Sequence, residues 1–207
     1  MKRLYFIRHA ESEANKNRIL ASRMPFSLTR EGKADSLEIA AELKEITDID
    51  HIISSPLKRA VETAESFSEV FGINFLTDDR IIEQYLGFYS GMSYDEVKLN
   101  PDYQQDPLKR WNWEPSGGGE SYSMIAGRIC SFLSDVENTP GLDRVLIVTH
   151  AVALRLIVAA LENSLPVYPK AFPNNGEILT VNFSGLGRRH EIESMFLGNS
   201  RKFNHNP

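Results

Sequence analysis

The sequence predicts an α/β fold: a three-layer α/β/α sandwich with a mostly parallel central sheet, helices on both faces and an insert over the carboxyl ends of the strands. Two observations predict it. Short apolar runs alternate along the chain with longer amphipathic stretches, which indicates right-handed strand–helix–strand crossovers. The 207 residues, 42% hydrophobic and 25% charged, suffice to bury one core. We therefore expect a single domain over residues 1–207, with a substrate-side insert at about 79–120.

The strands are predicted from short runs rich in branched and aromatic residues. Four of them, expected to be parallel, cover residues 4–7, 51–54, 73–76 and 145–149. These runs are apolar without strict alternation, which is typical of strands buried on both faces of a parallel sheet. Residues 177–183 and 191–196 flank a glycine-containing turn, so they predict a closing pair that is compatible with antiparallel edges.

Helices are predicted between these strands from caps and periodicity. Thr29 is a candidate N-cap for a helix that lasts to about residue 46. Ser55, followed by Pro56 at the first helical position, opens a second helix that Gly72 closes. Further helices are predicted around residues 123–136 and from Ala151. The inward stripe of the first helix is expected to consist of Ala34, Leu37, Ala40, Ala41 and Leu43.

Neither the helical nor the strand periodicity continues between residues 79 and 121, a segment with a glycine run at 117–119. Ser93 and Glu96 have capping-box spacing, so one short helix is predicted there, and much of the remainder is expected to be ordered loop. Substrate choice is expected to reside in this insert. Its large and basic side chains either line the mouth of the site or form a core: Tyr85, Tyr89, Lys109, Arg110, Trp111 and Trp113.

The formal net charge of −5 argues against a surface that binds nucleic acid or an anionic membrane. The single cysteine, Cys130, falls in a helical stretch and is interpreted as a small core residue. The amino-terminal apolar run ends at Arg8 and is too short for a signal peptide, and polar residues interrupt the most apolar stretch at 145–161. We therefore expect a cytoplasmic protein without a membrane span. The sequence leaves both a monomer and a homodimer open.

Cationic and imidazole side chains follow the predicted strands where these strands end. Arg8 and His9 follow the first strand, His150 follows the fourth, and Arg59 falls in the first turn of the helix after the second. Carboxyl ends of parallel strands meet at one rim, where ligands of open α/β sheets bind. Like charges placed together are costly unless an anion compensates them, so this set predicts a site for a small dianion such as phosphate.

Competing site chemistries lack their sequence patterns. The chain has no His-Glu-x-x-His pair and no Cys-x-x-Cys, and Arg8 beside His9 would repel a dication, so we expect neither a metal nor a cofactor. The loop of nucleotide-binding proteins and the elbow of serine hydrolases are also missing from the sequence. His190 is interpreted as an exposed strand residue, and His51 and His205 are given no chemical role.

Six short motifs occur in order along the chain. They are RHAESEAN at 8–15, LTREG at 28–32, SSPLKRA at 54–60, EQYLG at 83–87, GES at 119–121, and the strand with its following histidine at 145–151. Together they resemble the motifs of the histidine phosphatase superfamily, which includes the phosphoglycerate mutases, over roughly residues 3–155. Ala10 and Ala151 stand where that family usually has glycine, and residues 25–27 stand where relatives often have an aspartate.

The resemblance implies roles for the residues at the rim. His9 would attack phosphorus and form a phosphohistidine, which requires an unprotonated ring nitrogen. Arg8, Arg59 and His150 would hold the phosphoryl oxygens, with Asn15 as an added amide donor. Positive charge close to His9 would lower its pKa and keep the nucleophile available near neutral pH.

The resemblance also implies an acid for the leaving group. Glu83 matches the acidic position of the family, with Glu11 and Glu13 as alternatives. We therefore expect a metal-independent phosphomonoesterase that acts on small phosphorylated metabolites. Two alternatives remain: a phosphotransferase of the phosphoglycerate mutase type, and a non-catalytic module that binds phosphate or a phosphoprotein. Hydrolysis is favoured over the mutase reaction because the insert holds only four basic residues.

Overall fold

The computed structural model describes residues 1–198, which form one six-stranded mixed sheet. The strands are β1 (Lys2–Arg8), β2 (His51–Ser54), β3 (Phe75–Thr77), β4 (Arg144–Thr149), β5 (Glu177–Phe183) and β6 (Ile192–Leu197). Their spatial order is β3-β2-β4-β1-β5-β6, with the first four parallel and the last two antiparallel. The predicted sheet is confirmed; His205 lies outside the described residues.

Helices cover both faces of this sheet. They are α1 (Glu13–Lys16), α2 (Arg30–Ile46), α3 (Lys58–Phe71), α4 (Tyr94–Lys98), α5 (Tyr122–Asn138) and α6 (Ala151–Leu161). In β1, Leu4 and Phe6 belong to the core formed with α5 and α6, whereas Tyr5 and Ile7 belong to the core formed with α2 and α3. Successive strand side chains point to opposite faces, so one unbroken apolar run fills two cores. The three-layer architecture is confirmed.

The predicted inward stripe of α2 is wrong in three of its five positions. Ala34, Leu37 and Ala41 are exposed. The buried face consists of Gly32, Ser36, Ile39, Ala40 and Leu43. Close packing selects small residues at the first two of these positions. A Cβ on Gly32 would lie 2.1 Å from the carbonyl oxygen of Glu11, and the Ser36 hydroxyl donates to the carbonyl oxygen of Thr63 on α3. A stripe defined by hydrophobicity alone does not reveal such contacts.

Two predicted boundaries are also corrected. Helix α3 begins at Lys58 rather than Pro56, because the Ser55 hydroxyl accepts from the N–H of Leu57 and holds a turn before the helix. Strand β3 begins at Phe75 rather than residue 73, because the residues before it form the turn that ends α3. Gly72 is left-handed at φ +71°, and the carbonyl of Ile73 accepts from a serine hydroxyl of α3.

The segment between β3 and α5 has a small core of its own. Leu86, Tyr89, Val97 and Tyr103 are buried together, with Leu20, Met92 and Trp113 packed against them. The predicted short helix is confirmed as α4, with a capping box between Ser93 and Glu96. Aromatic side chains therefore stabilise this segment from within.

His190 was predicted as an exposed strand residue, and this is wrong. It is buried and precedes β6; its Nδ1 lies 2.9 Å from the carbonyl oxygen of Leu161, and its Nε2 accepts from the N–H of Ser184. Cys130 is partly buried against the core, and burial raises the pKa of its thiol. No helix in residues 1–198 has the length and apolar character needed to span a membrane.

Candidate active site

A cavity of about 490 Å³ opens at the carboxyl ends of the parallel strands, partly walled by the segment between β3 and α5. Five of the six predicted site residues line it: Arg8, His9, Asn15, Arg59 and Glu83. The sixth, His150, is fully buried beside His9, with its ring centroid 5.1 Å from that of His9. The structure thus brings all six residues together.

His9 follows β1 and is 3% exposed. Its Nδ1 lies 2.7 Å from the carbonyl oxygen of Ala10, and its Nε2 lies 3.1 Å from Nε of Arg59. A carbonyl oxygen only accepts and a guanidinium only donates, so the ring proton is on Nδ1 and the lone pair is on Nε2. Nε2 is therefore the nitrogen of this ring that can act as a nucleophile.

Arg59 extends from the first turn of α3 toward His9. Besides the bond to His9, its Nη1 donates to the carbonyl oxygen of Met24 at 3.2 Å, and its Nη2 donates to that of Ser22 at 2.8 Å. A guanidinium has five N–H groups, so one N–H remains on each Nη. Burial lowers the pKa of Arg59 to about 10, with a smaller contribution from Arg8. The side chain remains charged at neutral pH.

Arg8 and Asn15 offer further donors. Nη1 of Arg8 donates to the carbonyl oxygen of Pro173 at 2.7 Å, while its buried Nε has no partner within residues 1–198. Oδ1 of Asn15 accepts from the N–H and hydroxyl of Ser12 and from Nδ2 of Asn175. Because three donors surround Oδ1, the NH₂ group of Asn15 is the branch that faces the cavity.

His150 follows β4 and stands at the N-cap position of α6. Its Nε2 lies 2.7 Å from Oγ of Ser55, and its buried Nδ1 has no partner in the described part of the chain. Oγ of Ser55 also accepts from the N–H of Leu57, so the hydroxyl proton is available for Nε2. In that arrangement the ring proton of His150 is on Nδ1, as an unused donor.

The electrostatics keep both imidazoles neutral. Burial lowers the pKa of His9 well below its usual value, and Arg59 and Arg8 lower it further. Burial, followed by Arg59 and the neighbouring His9, has the same effect on the pKa of His150. Within residues 1–198, no three His, Cys, Asp or Glu side chains form a group that could hold a metal ion.

Glu83 is the carboxylate that lines the cavity. Its Oε1 accepts from the N–H of Gln84 at 2.9 Å, and its Oε2 accepts from that of Val152 at 3.3 Å. The second contact places the carboxyl group at the N-terminus of α6, beside the cavity. Glu11 accepts from a threonine hydroxyl, Glu13 is exposed, and neither lines the cavity. The geometry favours Glu83 among the three candidates.

Three motif positions have a structural explanation. A Cβ on Gly32 would lie 2.1 Å from the carbonyl oxygen of Glu11, so glycine is required where α2 begins against the turn that follows His9. Ala10 and Ala151 are not among the non-glycine residues with positive φ, and Ala151 is the first residue of α6. Alanine is therefore accommodated at both positions where the family that the motifs resemble usually has glycine.

Two groups of residues at the site were missed by sequence reasoning. Ser22 and Met24 hold Arg59, while Pro173 and Asn175 hold the residues around His9. All but Asn175 act through backbone carbonyls. Every residue type has a backbone carbonyl, so the sequence does not indicate these contacts. A turn signal, Asn-Gly before β5, was the only available indication for Asn175.

The predicted substrate-selecting residues are only partly supported. Of the six insert side chains, Arg110 is the one that lines the cavity. Its guanidinium lies 4.8 Å from the ring centroid of Tyr103, and its Nε donates to the carbonyl oxygen of Gln104. Tyr89 and Trp113 belong to the small core instead.

Comparison with known proteins gives one consistent result. The model of the histidine phosphatase superfamily (branch 1) matches residues 4–191. The chain is 35% identical over 165 residues to phosphoserine phosphatase 1 of Hydrogenobacter thermophilus, covering 78% of this chain and 76% of that protein. It is 30% identical over 152 residues to phosphoglycerate mutase-like protein 4 of Arabidopsis thaliana, covering 72% and 66%.

Solved structures agree on the fold. The structure of a mycobacterial glucosyl-3-phosphoglycerate phosphatase in complex with VO3 superimposes with a TM-score of 0.81 at 22% identity, covering 94% of this chain and 98% of that one. A phosphoserine phosphatase mutant of Entamoeba histolytica in complex with phosphoserine gives a TM-score of 0.76 at 24% identity, covering 94% and 96%.

Proposed function

The chain belongs to the histidine phosphatase superfamily and is a phosphatase, and from that premise we propose that it hydrolyses small phosphate monoesters through a phosphohistidine on His9, without a metal ion. The observation that carries this proposal is the state of His9: a neutral ring, with its Nδ1 proton held by a carbonyl and its Nε2 lone pair held against Arg59 at 3.1 Å.

Binding of the phosphoryl group uses donors that the protein itself leaves open. Arg59 has one N–H left on each Nη, a fork that suits two oxygens of one phosphoryl group. The buried Nε of Arg8 and Nδ1 of His150 lack partners within residues 1–198, and Asn15 turns its NH₂ toward the cavity. Unpaired buried donors are costly, so a bound anion would relieve them.

The first chemical step transfers the phosphoryl group to His9. Nε2 attacks phosphorus, the P–N bond forms, and the ester P–O bond breaks with its electrons remaining on the leaving oxygen. The cycle begins with Glu83 protonated; Glu83 gives that oxygen its proton, which releases an alcohol. Charge spreads over the non-bridging oxygens in the transition state, where Arg8, Arg59 and His150 would stabilise it.

The second step returns the enzyme to its starting state. Glu83, now a carboxylate, takes a proton from water, the water oxygen attacks phosphorus, and the P–N bond breaks. Inorganic phosphate leaves and His9 is again neutral with its lone pair on Nε2. Two guanidinium groups provide the positive charge that a dication supplies in metal-dependent phosphatases, and the neutral His150 adds an N–H donor. This supports a metal-independent reaction.

Phosphoserine is the first substrate to test, because a relative that is 35% identical is named a phosphoserine phosphatase. We also propose, from the sequence, that the enzyme is cytoplasmic and works as a monomer or homodimer. Sedimentation of the purified chain distinguishes the two assemblies.

The test measures phosphate release from p-nitrophenyl phosphate and phosphoserine with EDTA present, at about pH 5 to 8. Wild type is compared with His9→Ala and with a matched control, His51→Ala, whose side chain is exposed on β2. We expect turnover that survives EDTA, is lost in His9→Ala and is retained in His51→Ala.

Turnover that EDTA abolishes, or that His9→Ala retains, would overturn the mechanism. Transfer of phosphoryl between hydroxyls of phosphoglycerate without phosphate release would instead identify a mutase. Binding of phosphate without any turnover would identify a binding module.

A further inference from the structure

A segment far along the chain from His9 contacts the residues next to it. Residues 173–176, just before β5, run alongside Arg8 and His9 at the end of β1. The carbonyl oxygen of Pro173 accepts from Nη1 of Arg8 at 2.7 Å, and the N–H of Gly176 donates to the carbonyl oxygen of Arg8 at 3.0 Å. The segment is therefore hydrogen-bonded to both the side chain and the backbone of Arg8.

The side chain of Asn175 contacts the backbone of His9 and Ala10 and the side chain of Asn15. Its Nδ2 lies 2.9 Å from the carbonyl oxygen of His9, 3.3 Å from that of Ala10 and 3.2 Å from Oδ1 of Asn15. All three partners are acceptors, so the NH₂ of Asn175, and not its oxygen, must face them. One amide thus contacts three groups that lie 160 to 166 positions away in the chain.

Two of these acceptors determine the chemistry of the site. The carbonyl oxygen of Ala10 also accepts from Nδ1 of His9 at 2.7 Å, which is the bond that leaves the lone pair on Nε2. Oδ1 of Asn15 is the branch of that amide whose orientation turns its NH₂ toward the cavity. Displacing the NH₂ of Asn175 would loosen both arrangements together.

We propose that Asn175 is a positioning residue for the reaction at His9: its NH₂ group holds the Ala10 carbonyl that sets the ring tautomer, and fixes the amide of Asn15 as a donor to the phosphoryl group. This role rests on the proposed function, since it presumes that Nε2 of His9 is the nucleophile. Asn175 itself does not line the cavity and acts through its neighbours.

The decisive variant is Asn175→Asp, which keeps the shape of the side chain and replaces the NH₂ by an oxygen. An oxygen facing three acceptors repels them, so we expect kcat/KM to fall by about 100-fold, the cost of a misplaced reacting group. Asn175→Ala removes the donor without repulsion and should lose less. Asn182→Ala is the matched control, because that asparagine is exposed on β5.

Two readouts separate positioning from a merely structural role. Nitrogen chemical shifts of the His9 ring report its tautomer: we expect the proton on Nδ1 in wild type and a mixture of tautomers in Asn175→Asp. Titration with inorganic phosphate should show weaker binding in Asn175→Asp and Asn175→Ala than in Asn182→Ala. Thermal melting of each variant shows whether it is folded.

The proposal is overturned if Asn175→Asp keeps the wild-type kcat/KM. It is also overturned if activity falls only in parallel with melting temperature while the His9 tautomer and the phosphate affinity stay unchanged. Should Asn175→Asp fail to fold, Asn175→Ala gives the same readouts. If wild type itself releases no phosphate, the proposed function fails, whereas the tautomer and phosphate titration still decide the role of Asn175.

Discussion

Replacing Arg59 by lysine tests whether the guanidinium fork holds the phosphoryl group. In the structure three of its five N–H groups are bonded to His9, Met24 and Ser22, and one N–H on each Nη remains. A lysine ammonium is a single point of charge, so Arg59→Lys keeps the positive charge and loses the fork.

The expected loss of activity is large and the loss of stability moderate. Removal of a preorganised donor to the transition state costs about 10²- to 10³-fold in kcat, or about 3–4 kcal/mol. The lysine side chain is shorter than that of arginine, so we expect at least one of the backbone carbonyls of Ser22 and Met24 to lose its donor, at about 1–3 kcal/mol in the free energy of unfolding.

Steady-state kinetics on p-nitrophenyl phosphate and urea unfolding measure the two quantities separately. Arg144→Lys serves as the control, because Arg144 pairs with Asp50 at the start of β4, away from the cavity. Its kcat should equal that of wild type. A folded Arg59→Lys variant with wild-type kcat would refute the role given to the fork.

Three further predictions concern the acid, the packing and the pH dependence. Glu83→Gln should give a rapid burst of p-nitrophenol followed by slow turnover, because this leaving group needs no proton whereas attack by water still needs a base; absence of a burst would contradict that role. Gly32→Ala should lower the free energy of unfolding by about 1–3 kcal/mol, since its Cβ would lie 2.1 Å from a backbone oxygen. Gly127→Ala, an exposed helical position with open space, should raise it by about 1 kcal/mol, and urea midpoints compare the two. Burial, with Arg59 adding to it, keeps the pKa values of His9 and His150 below those of the unfolded chain. Below about pH 6.5 the unfolded state therefore binds more protons than the folded state. The free energy of unfolding falls as the pH falls, by up to about 1.4 kcal/mol per pH unit for each ring. Urea unfolding from pH 7 downward should show a smaller slope in His9→Ala, and an equal slope would argue against a buried neutral His9.

The sheet could be predicted because its strands are local patterns. Unbroken apolar runs indicated β1 and β4, and placing Arg8, His9 and His150 at their ends followed from parallel topology. The buried face of α2 was mispredicted because Gly32 and Ser36 are selected by close approach, which hydrophobicity does not record.

The support of the site could not be predicted from local pattern. Asn175 contacts His9 across 166 positions, and such a contact exists only once the sheet has formed. The carbonyls that hold Arg59 belong to Ser22 and Met24, whose residue types have no bearing on that bond. His190 was misread because its burial depends on a carbonyl of α6, Leu161.

Trapping the phosphoenzyme tests the central claim most directly. Wild type, His9→Ala and His51→Ala are mixed with p-nitrophenyl phosphate that carries an isotopic label in its phosphoryl group, and each reaction is quenched in alkali within one turnover. The labelled residue is then located by mass spectrometry. We predict an acid-labile, alkali-stable phosphoryl group on Nε2 of His9, at about one per active site in the burst, present in His51→Ala and absent from His9→Ala. Turnover without such an intermediate, or label on another residue, would contradict the mechanism.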